Sequence, residues 1–322
     1  MGSILIIFIF AWSSFWWIST RQLESSVEAW LNNEELEPDL NYKRILTSGY
    51  PNRADVTIEN FSFNSLEQKL FFSAKLVQIL SLVYNQHHLI NIVKPPITIK
   101  FNNNNLQITG DPIKSSVKIG SQERIVKLIS EGGNLILEDQ KNNKWNLKQF
   151  LMAVENEKQS FPKTLKTHLT IKDLVIPSHY LRPYKKLPQL NRKIETIIFN
   201  SNVLLKNQFD TASQNQKEIN FNELSIQIES HFITLEIVGN LQFSKEDLIN
   251  GSLDIKLKNW QNVISAIAKE PLVDSISYKK VIAALTFFGN QRVKKPTNSI
   301  SFSIHFKENV VFLGPLKIGK IK

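Results

Sequence analysis

The hydrophobic rhythm of the chain changes twice. From Ile4 to Ile18 the residues ILIIFIFAWSSFWWI carry no charge, and the first charged side chain is Arg21. A helix from Met1 to Thr20 would rise about 30 Å at 1.5 Å per residue, the hydrocarbon thickness of a bilayer. Residues 1–20 are therefore expected to form a transmembrane anchor, with Trp16 and Trp17 suited to a membrane-interface belt. A cleaved signal peptide competes, with Val27-Glu28-Ala29 as its small-residue cleavage pattern, but the two bulky indoles favour a retained anchor. Leu23, Val27, Trp30 and Leu31 then recur at helical spacing, which predicts a juxtamembrane amphipathic helix within 21–40.

From Tyr42 onward apolar residues take alternate places in short segments separated by Asn, Gly, Pro and Lys. Side chains alternate across a strand, so each segment carries one apolar row. Such rows are Val56 and Ile58; Ile97, Ile99 and Phe101; Leu224, Ile226 and Ile228; and Ile300, Phe302, Ile304 and Phe306. Ile233-Leu235-Ile237 and Leu253-Ile255-Leu257 repeat the pattern. The opposite rows are polar, as in Ser225-Gln227-Glu229 and Ser301-Ser303-His305, so these sheets are expected to cover something on one side and meet water on the other. Phe71 to Tyr84 fits either period, and its Val, Ile and Tyr content tips it to strand.

Turn residues fall between the strand segments at Asn102 to Asn105, Gly110-Asp111-Pro112, Gly132-Gly133-Asn134, Lys141-Asn142-Asn143 and Gly239-Asn240. Short connections predict a largely antiparallel meander. Three helices are expected: one capped by Asn259 with Trp260, Val263, Ile264 and Ile267 on one face, one capped by Asp274, and a weaker one from Asn146 to Glu157. The basic, Pro-containing stretch Ile176 to Pro188 reads as a loop dividing strand-rich halves 43–177 and 191–322 within a β-rich domain covering 41–322. The expected fold class is mainly β: an antiparallel, curved or folded sheet with an apolar inner face and a few flanking helices, preceded by the anchor.

Composition narrows the function. The 322 residues are 42% hydrophobic and 21% charged, which is globular rather than disordered. The net charge of +10 rests on 32 Lys and 7 Arg, dispersed in pairs such as Lys185-Lys186 and Lys294-Lys295. Arg, the residue best suited to forked contacts with phosphates or guanine, is scarce and the basic residues form no stripe, so no nucleic-acid partner is expected. With no cysteine there is no disulfide, thiolate nucleophile or thiolate metal site.

Catalytic patterns are absent from the sequence. The six histidines show no His-Glu-x-x-His, and His87 and His88, adjacent on a strand, would point to opposite faces. No Gly-x-Ser-x-Gly or Gly-x-Gly-x-x-Gly occurs. Gly314 to Ile321 mimics a phosphate-binding loop, but Ile321 stands where a hydroxyl should be, and a Gly-Pro hairpin accounts for it better. No enzyme activity, metal or cofactor is expected.

Three short stretches carry a family resemblance: the turn Gly49-Tyr50-Pro51, the helix start Asn259-Trp260-Gln261, and the closing Gly314-Pro315-Leu316 to Gly319 hairpin. They resemble the Gly-Phe-Pro-type turn, Asn-Trp-Gln-type helix and Gly-Pro-Leu-x-x-Gly hairpin of the Gram-negative bacterial family of unknown function catalogued as domain twenty-one twenty-five. That family begins with a membrane segment and has no established activity. In layout it is similar to AsmA-like proteins, which one amino-terminal helix anchors in the inner membrane and which present a greasy β groove in the periplasm. The resemblance thus implies an inner-membrane, single-pass protein with most of its chain in the periplasm. There the twelve row residues named first above would line a groove for phospholipid or another envelope lipid. The alternative is a structural or partner-binding envelope protein whose rows close into a sandwich core.

Overall fold

The computed structural model describes residues 2–32, 39–65, 67, 69–102, 104–120, 124–156, 163–177, 192–205, 218–244, 248–260, 283 and 298–321. It resolves into two compact units, Met1–Gln149 and Phe150–Lys322. Their boundary lies inside a strand rather than in the 176–188 stretch, whose residues beyond 177 lie outside those described.

The first unit opens with a single uninterrupted helix, α1 (Gly2–Leu31), in place of separate anchor and juxtamembrane helices. Neither Pro nor Gly occurs between Ser3 and Leu31, so nothing in the sequence breaks the turn-to-turn hydrogen bonding. The next strand, β1, already starts within the expected 21–40 helix (Asp39–Asn41), and β2 (Arg44–Ser48) follows it. Then come the long strands β3 (Arg53–Ser65), β4 (Leu70–Leu82) and β5 (Asn85–Phe101), the shorter β6 (Asn104–Thr109) and β7 (Ile113–Ile119), and β8 (Ile125–Asp139). Pairing is antiparallel throughout: β2 with β3, β3 with β4, β4 with β5, both β6 and β7 with β5, and both again with β8. Strand β9 (Lys144–Asn156) follows β8 through the turn at Asn142, which adopts φ 59°.

The second unit is a meander of β10 (Lys163–Val175), β11 (Lys193–Leu205), β12 (Ile219–Glu229), β13 (Thr234–Phe243), β14 (Ile249–Lys258), β15 (Ser299–Lys307), β16 (Val310–Leu313) and β17 (Leu316–Lys320). Each pairs antiparallel with the next. Gly314, at φ 55°, makes the β16–β17 turn as the hairpin motif implies. The chain is thus mostly antiparallel β, and Phe71 to Tyr84 is chiefly strand.

Three expectations change. Asn146 to Glu157 is strand β9 up to Asn156 instead of a helix. Its apolar residues alternate twice, at Trp145 and Leu147 and again at Phe150, Met152 and Val154, and the one-residue offset between these sets imitates helical spacing. Gly132-Gly133-Asn134 and Gly239-Asn240 are not turns but lie inside β8 and β13. Both mark irregular or close-packed places in a strand, which attract the same residues as turns do. The helices expected after Asn259 and Asp274 lie, beyond Trp260, outside the described residues apart from Ala283.

A crease runs across the first sheet. Asn60 in β3 takes φ 53° and Asn134 in β8 takes φ 46°. The β4–β5 register slips between Ala74 and Leu76, opposite Pro95 and Pro96. Gly110 (φ 123°) backs onto Asn134, where an added Cβ would lie 2.2 Å from the Asn134 carbonyl oxygen. Because of the crease, Ile58 and Phe61, three residues apart, join one core with Val56, Val27 and Leu31.

Candidate functional site

Two features of the fold have functional geometry. The first is an apolar face on the second unit. Residues directly opposite in an antiparallel pair share a face. The register therefore lines up Leu169, Phe199, Ile226, Ile237, Ile255 and Phe302 across six strands. A second row runs Ile171, Ile197, Ile228, Leu235, Leu257 and Ile300, and a third passes through Leu224, Gly239, Leu253 and Ile304 to Leu313. Five strand spacings of about 4.8 Å make this face about 24 Å wide. Every member of the first row is half-buried.

The reverse side of these strands is polar. Ser303 donates a hydrogen bond to Asp254, and Glu236 pairs with Lys256 at 3.4 Å and Lys258 at 3.6 Å. His168 and Asn200 are joined at 2.6 Å. An open hollow of about 610 Å³ lies here, lined by Glu236, Asp254, Lys256, Ser303 and His305 together with the apolar Val238, Ile255 and Phe302 among others. Exposed ion pairs of this kind keep one side of a sheet wet at little energetic gain.

The second feature is the dock between α1 and the start of β3. Trp12, Trp16, Leu23, Val27 and Leu31 recur at three- or four-residue multiples and form one stripe along the helix. Trp12 Nε1 donates to the Pro51 carbonyl oxygen at 3.0 Å, and Trp16 Nε1 to the Arg53 carbonyl oxygen at 2.6 Å. The Tyr50 ring stands edge-on to Trp16 at 5.2 Å, and its hydroxyl meets Ser13 Oγ at 2.9 Å. Ser19 and Thr20 are buried small residues that let the helix approach the strands. Further along, Trp30 stacks on Phe61 with ring centroids 6.2 Å apart.

Beneath this turn lies Asp55, 5% exposed, whose Oδ2 accepts from Arg53 Nη2 at 2.9 Å. Burial pushes its carboxyl above the ordinary aspartate range, opposed by the charge and hydrogen bond of Arg53. Nearby, Arg44 binds Glu59 through two hydrogen bonds of 2.7 and 2.8 Å, which hold the Glu59 carboxyl below its usual range. Among the described residues no three His, Cys, Asp or Glu side chains gather into a metal-binding group.

The residues expected to line a groove divide between the units. Leu224, Ile226, Ile228, Ile300, Phe302 and Ile304 share the apolar face of the second unit, and Phe306 extends the β15 row along it. Within that group Leu224 and Ile300 are buried, and the others are half-buried. In the first unit Val56 and Ile58 are 0% and 1% exposed and pack in the same core as the α1 residues Val27 and Leu31, so no ligand reaches them. Ile97 is buried, Ile99 half-buried and Phe101 exposed. Of the motif residues, Gly49, Tyr50 and Pro51 form the turn docked on α1, while Gly314, Pro315 and Gly319 belong to the closing hairpin.

The rows also include Ile197 and Phe199, which lie in an unbroken apolar run, Ile197-Ile198-Phe199, and so show no alternation in the sequence. The search of curated proteins finds no match. The family model described as "Uncharacterized protein conserved in bacteria (DUF2125)" matches residues 16–322. It thus takes in both the docked turn and the strands of the apolar face, and the chain belongs to that uncharacterised bacterial family.

Proposed function

We propose that this protein is anchored in the inner membrane by α1, with its β units in the periplasm, and that it binds or conveys lipid acyl chains for envelope maintenance without catalysis. The observation that carries this is the six-strand apolar face of the second unit, half-buried along the row from Leu169 to Phe302. α1 supports the membrane part, having an apolar span over Ser3–Leu31 with mean hydropathy 1.7 in its most apolar window. At about 0.8 kcal/mol per buried methylene, sheltering most of one acyl chain is worth on the order of 10 kcal/mol before entropic losses.

The test is extraction and mass spectrometry of lipid from detergent-exchanged protein, alongside the Ile237→Asn variant. The expected result is phospholipid above control levels in the wild type and depleted in the variant. Wild-type protein with no lipid above controls refutes the proposal. A topology reporter fused after Lys322 tests the compartment, and a cytoplasmic signal would contradict it.

A second reading, a structural or partner-binding envelope protein with a closed core, is favoured by the burial of Leu224 at 7% and Ile300 at 2% exposure. It predicts lipid-free protein in which Ile237→Asn lowers stability alone.

A further inference from the structure

We infer that α1 has two mutually exclusive placements, docked on the Gly49–Arg53 turn as seen here or crossing a bilayer with that turn released, resting on the assignment of α1 as the membrane anchor. Trp12 lies ten residues after Gly2 and nine before Arg21, the first charge on the helix. At 1.5 Å per residue, about 15 Å of helix precedes Trp12 and about 14 Å follows it to Arg21. Crossing roughly 30 Å of hydrocarbon uses all of that length and puts Trp12 near the midplane.

In the docked placement Trp12 and Trp16 hold the carbonyl oxygens of Pro51 and Arg53, and Ser13 meets the Tyr50 hydroxyl. A crossing helix that kept these contacts would carry the turn and its Arg53–Asp55 ion pair deep into the hydrocarbon. The β4–β5 turn would follow, because Val83 donates its backbone N–H to the Asn52 carbonyl oxygen at 3.2 Å. Hydrocarbon holds no water to solvate the open backbone of two turns or the Arg53 side chain, which is 54% exposed. Docking and crossing therefore exclude each other.

The docked placement leaves every residue from Ser3 to Ala11 exposed, with Ile4 at 74% and Phe10 at 76%. Sinking that stretch alone would reach halfway across and leave the unpaired backbone N–H groups of the first helical turn in hydrocarbon. Full crossing buries the apolar length and gives up the contacts of Trp12, Ser13 and Trp16 with the turn. A bilayer accepts the released placement alone and so draws α1 off the turn, and by linkage whatever tightens the dock opposes insertion.

The test places the full chain in phosphatidylethanolamine–phosphatidylglycerol vesicles and reads depth and docking separately. Ile4→Cys and Phe10→Cys, each the single cysteine of its chain, carry a nitrobenzoxadiazole label quenched by lipids spin-labelled at the end of the acyl chain. Tyr50→p-benzoylphenylalanine keeps a ring beside Trp16 and, on illumination, crosslinks to α1 when docked. Trypsin then releases the peptide ending at Arg21 joined to Ile45–Arg53. The same photoprobe in Ile6→Lys/Ile9→Lys, whose charges keep α1 out of the bilayer without touching the dock, supplies the docked reference.

The expected result is at least about twofold stronger quenching at Phe10 than at Ile4, with a crosslink yield at least about fivefold below the lysine variant. Phe10 deeper than Ile4 with an undiminished crosslink overturns the inference and leaves the anchor standing, and so does a lysine variant that fails to crosslink. Ile4 deeper than Phe10, or no quenching at either, overturns the anchor assignment and the inference together.

Discussion

Trp16 and Arg53, 37 residues apart in the chain, are joined by a hydrogen bond of 2.6 Å from the indole Nε1 to the backbone carbonyl oxygen. The bond ties the apolar helix to Arg53, the first residue of β3. A tryptophan side chain that is not fully buried could otherwise satisfy its N–H with water. Here the protein backbone accepts it.

Removing that donor should loosen the turn while leaving the fold intact. Trp16→Phe keeps a ring against Tyr50 but leaves the Arg53 carbonyl oxygen without this partner, at a cost of about 1 kcal/mol. The expected result is roughly fivefold faster backbone hydrogen exchange over residues 49–55, with an unchanged far-ultraviolet circular dichroism spectrum.

Burial separates core positions from face positions. Ile58, 1% exposed beneath α1, should cost about 2–5 kcal/mol when replaced by Ala, read as a lower urea midpoint at constant slope. Ile226→Ala, at a half-buried position of the apolar face, should cost distinctly less. Equal losses at both sites would mean that the face is sealed like the core.

Two carboxylates should give opposite pH slopes. Asp55 is raised, chiefly by burial, so between the reference value of 3.8 and its folded value the native state holds more protons than the unfolded chain. Its contribution to stability therefore declines as pH rises through that window. Glu59 is lowered by its hydrogen bonds to Arg44, so its contribution is present above 4.5 and lost as pH falls through the folded value. Urea midpoints of the wild type, Asp55→Asn and Glu59→Gln, measured from about pH 3 to pH 7, should show a decline missing from the first variant and an acid-side loss missing from the second.

Glycines in the second unit should differ sharply in tolerance. A Cβ on Gly239 would sit 2.0 Å from the Ser252 backbone oxygen, so Gly239→Ala must part β13 from β14, with an expected cost of about 1–3 kcal/mol. Gly319 has nothing within 4 Å of an added Cβ, and Gly319→Ala should change the thermal midpoint little. Thermal denaturation of the two variants checks both.

Much of the β architecture was legible because it rests on local chemistry. Alternation at Leu224-Ile226-Ile228 and Ile300-Phe302-Ile304-Phe306 identifies strands and their apolar sides, since a strand's period of two is a property of the backbone. It failed where a strand departs from ideal pleating. The offset in β9 looked helical, and the glycines of β8 and β13 looked like turns, because bulges and close backbone contacts select the residues that turns select.

By itself, the sequence determined that the chain has an apolar amino-terminal helix, that most of the rest is antiparallel strand, and which side of many strands is greasy. These follow from hydrophobic spacing and turn residues acting over a few positions. Only the tertiary structure decided that Val56 and Ile58 lie sealed under α1 while Ile226 and Phe302 stay half-buried, and that Tyr50 meets Trp16. Such outcomes depend on which surfaces meet after distant segments come together, and two strands with the same alternation carry no mark of which one a helix will cover.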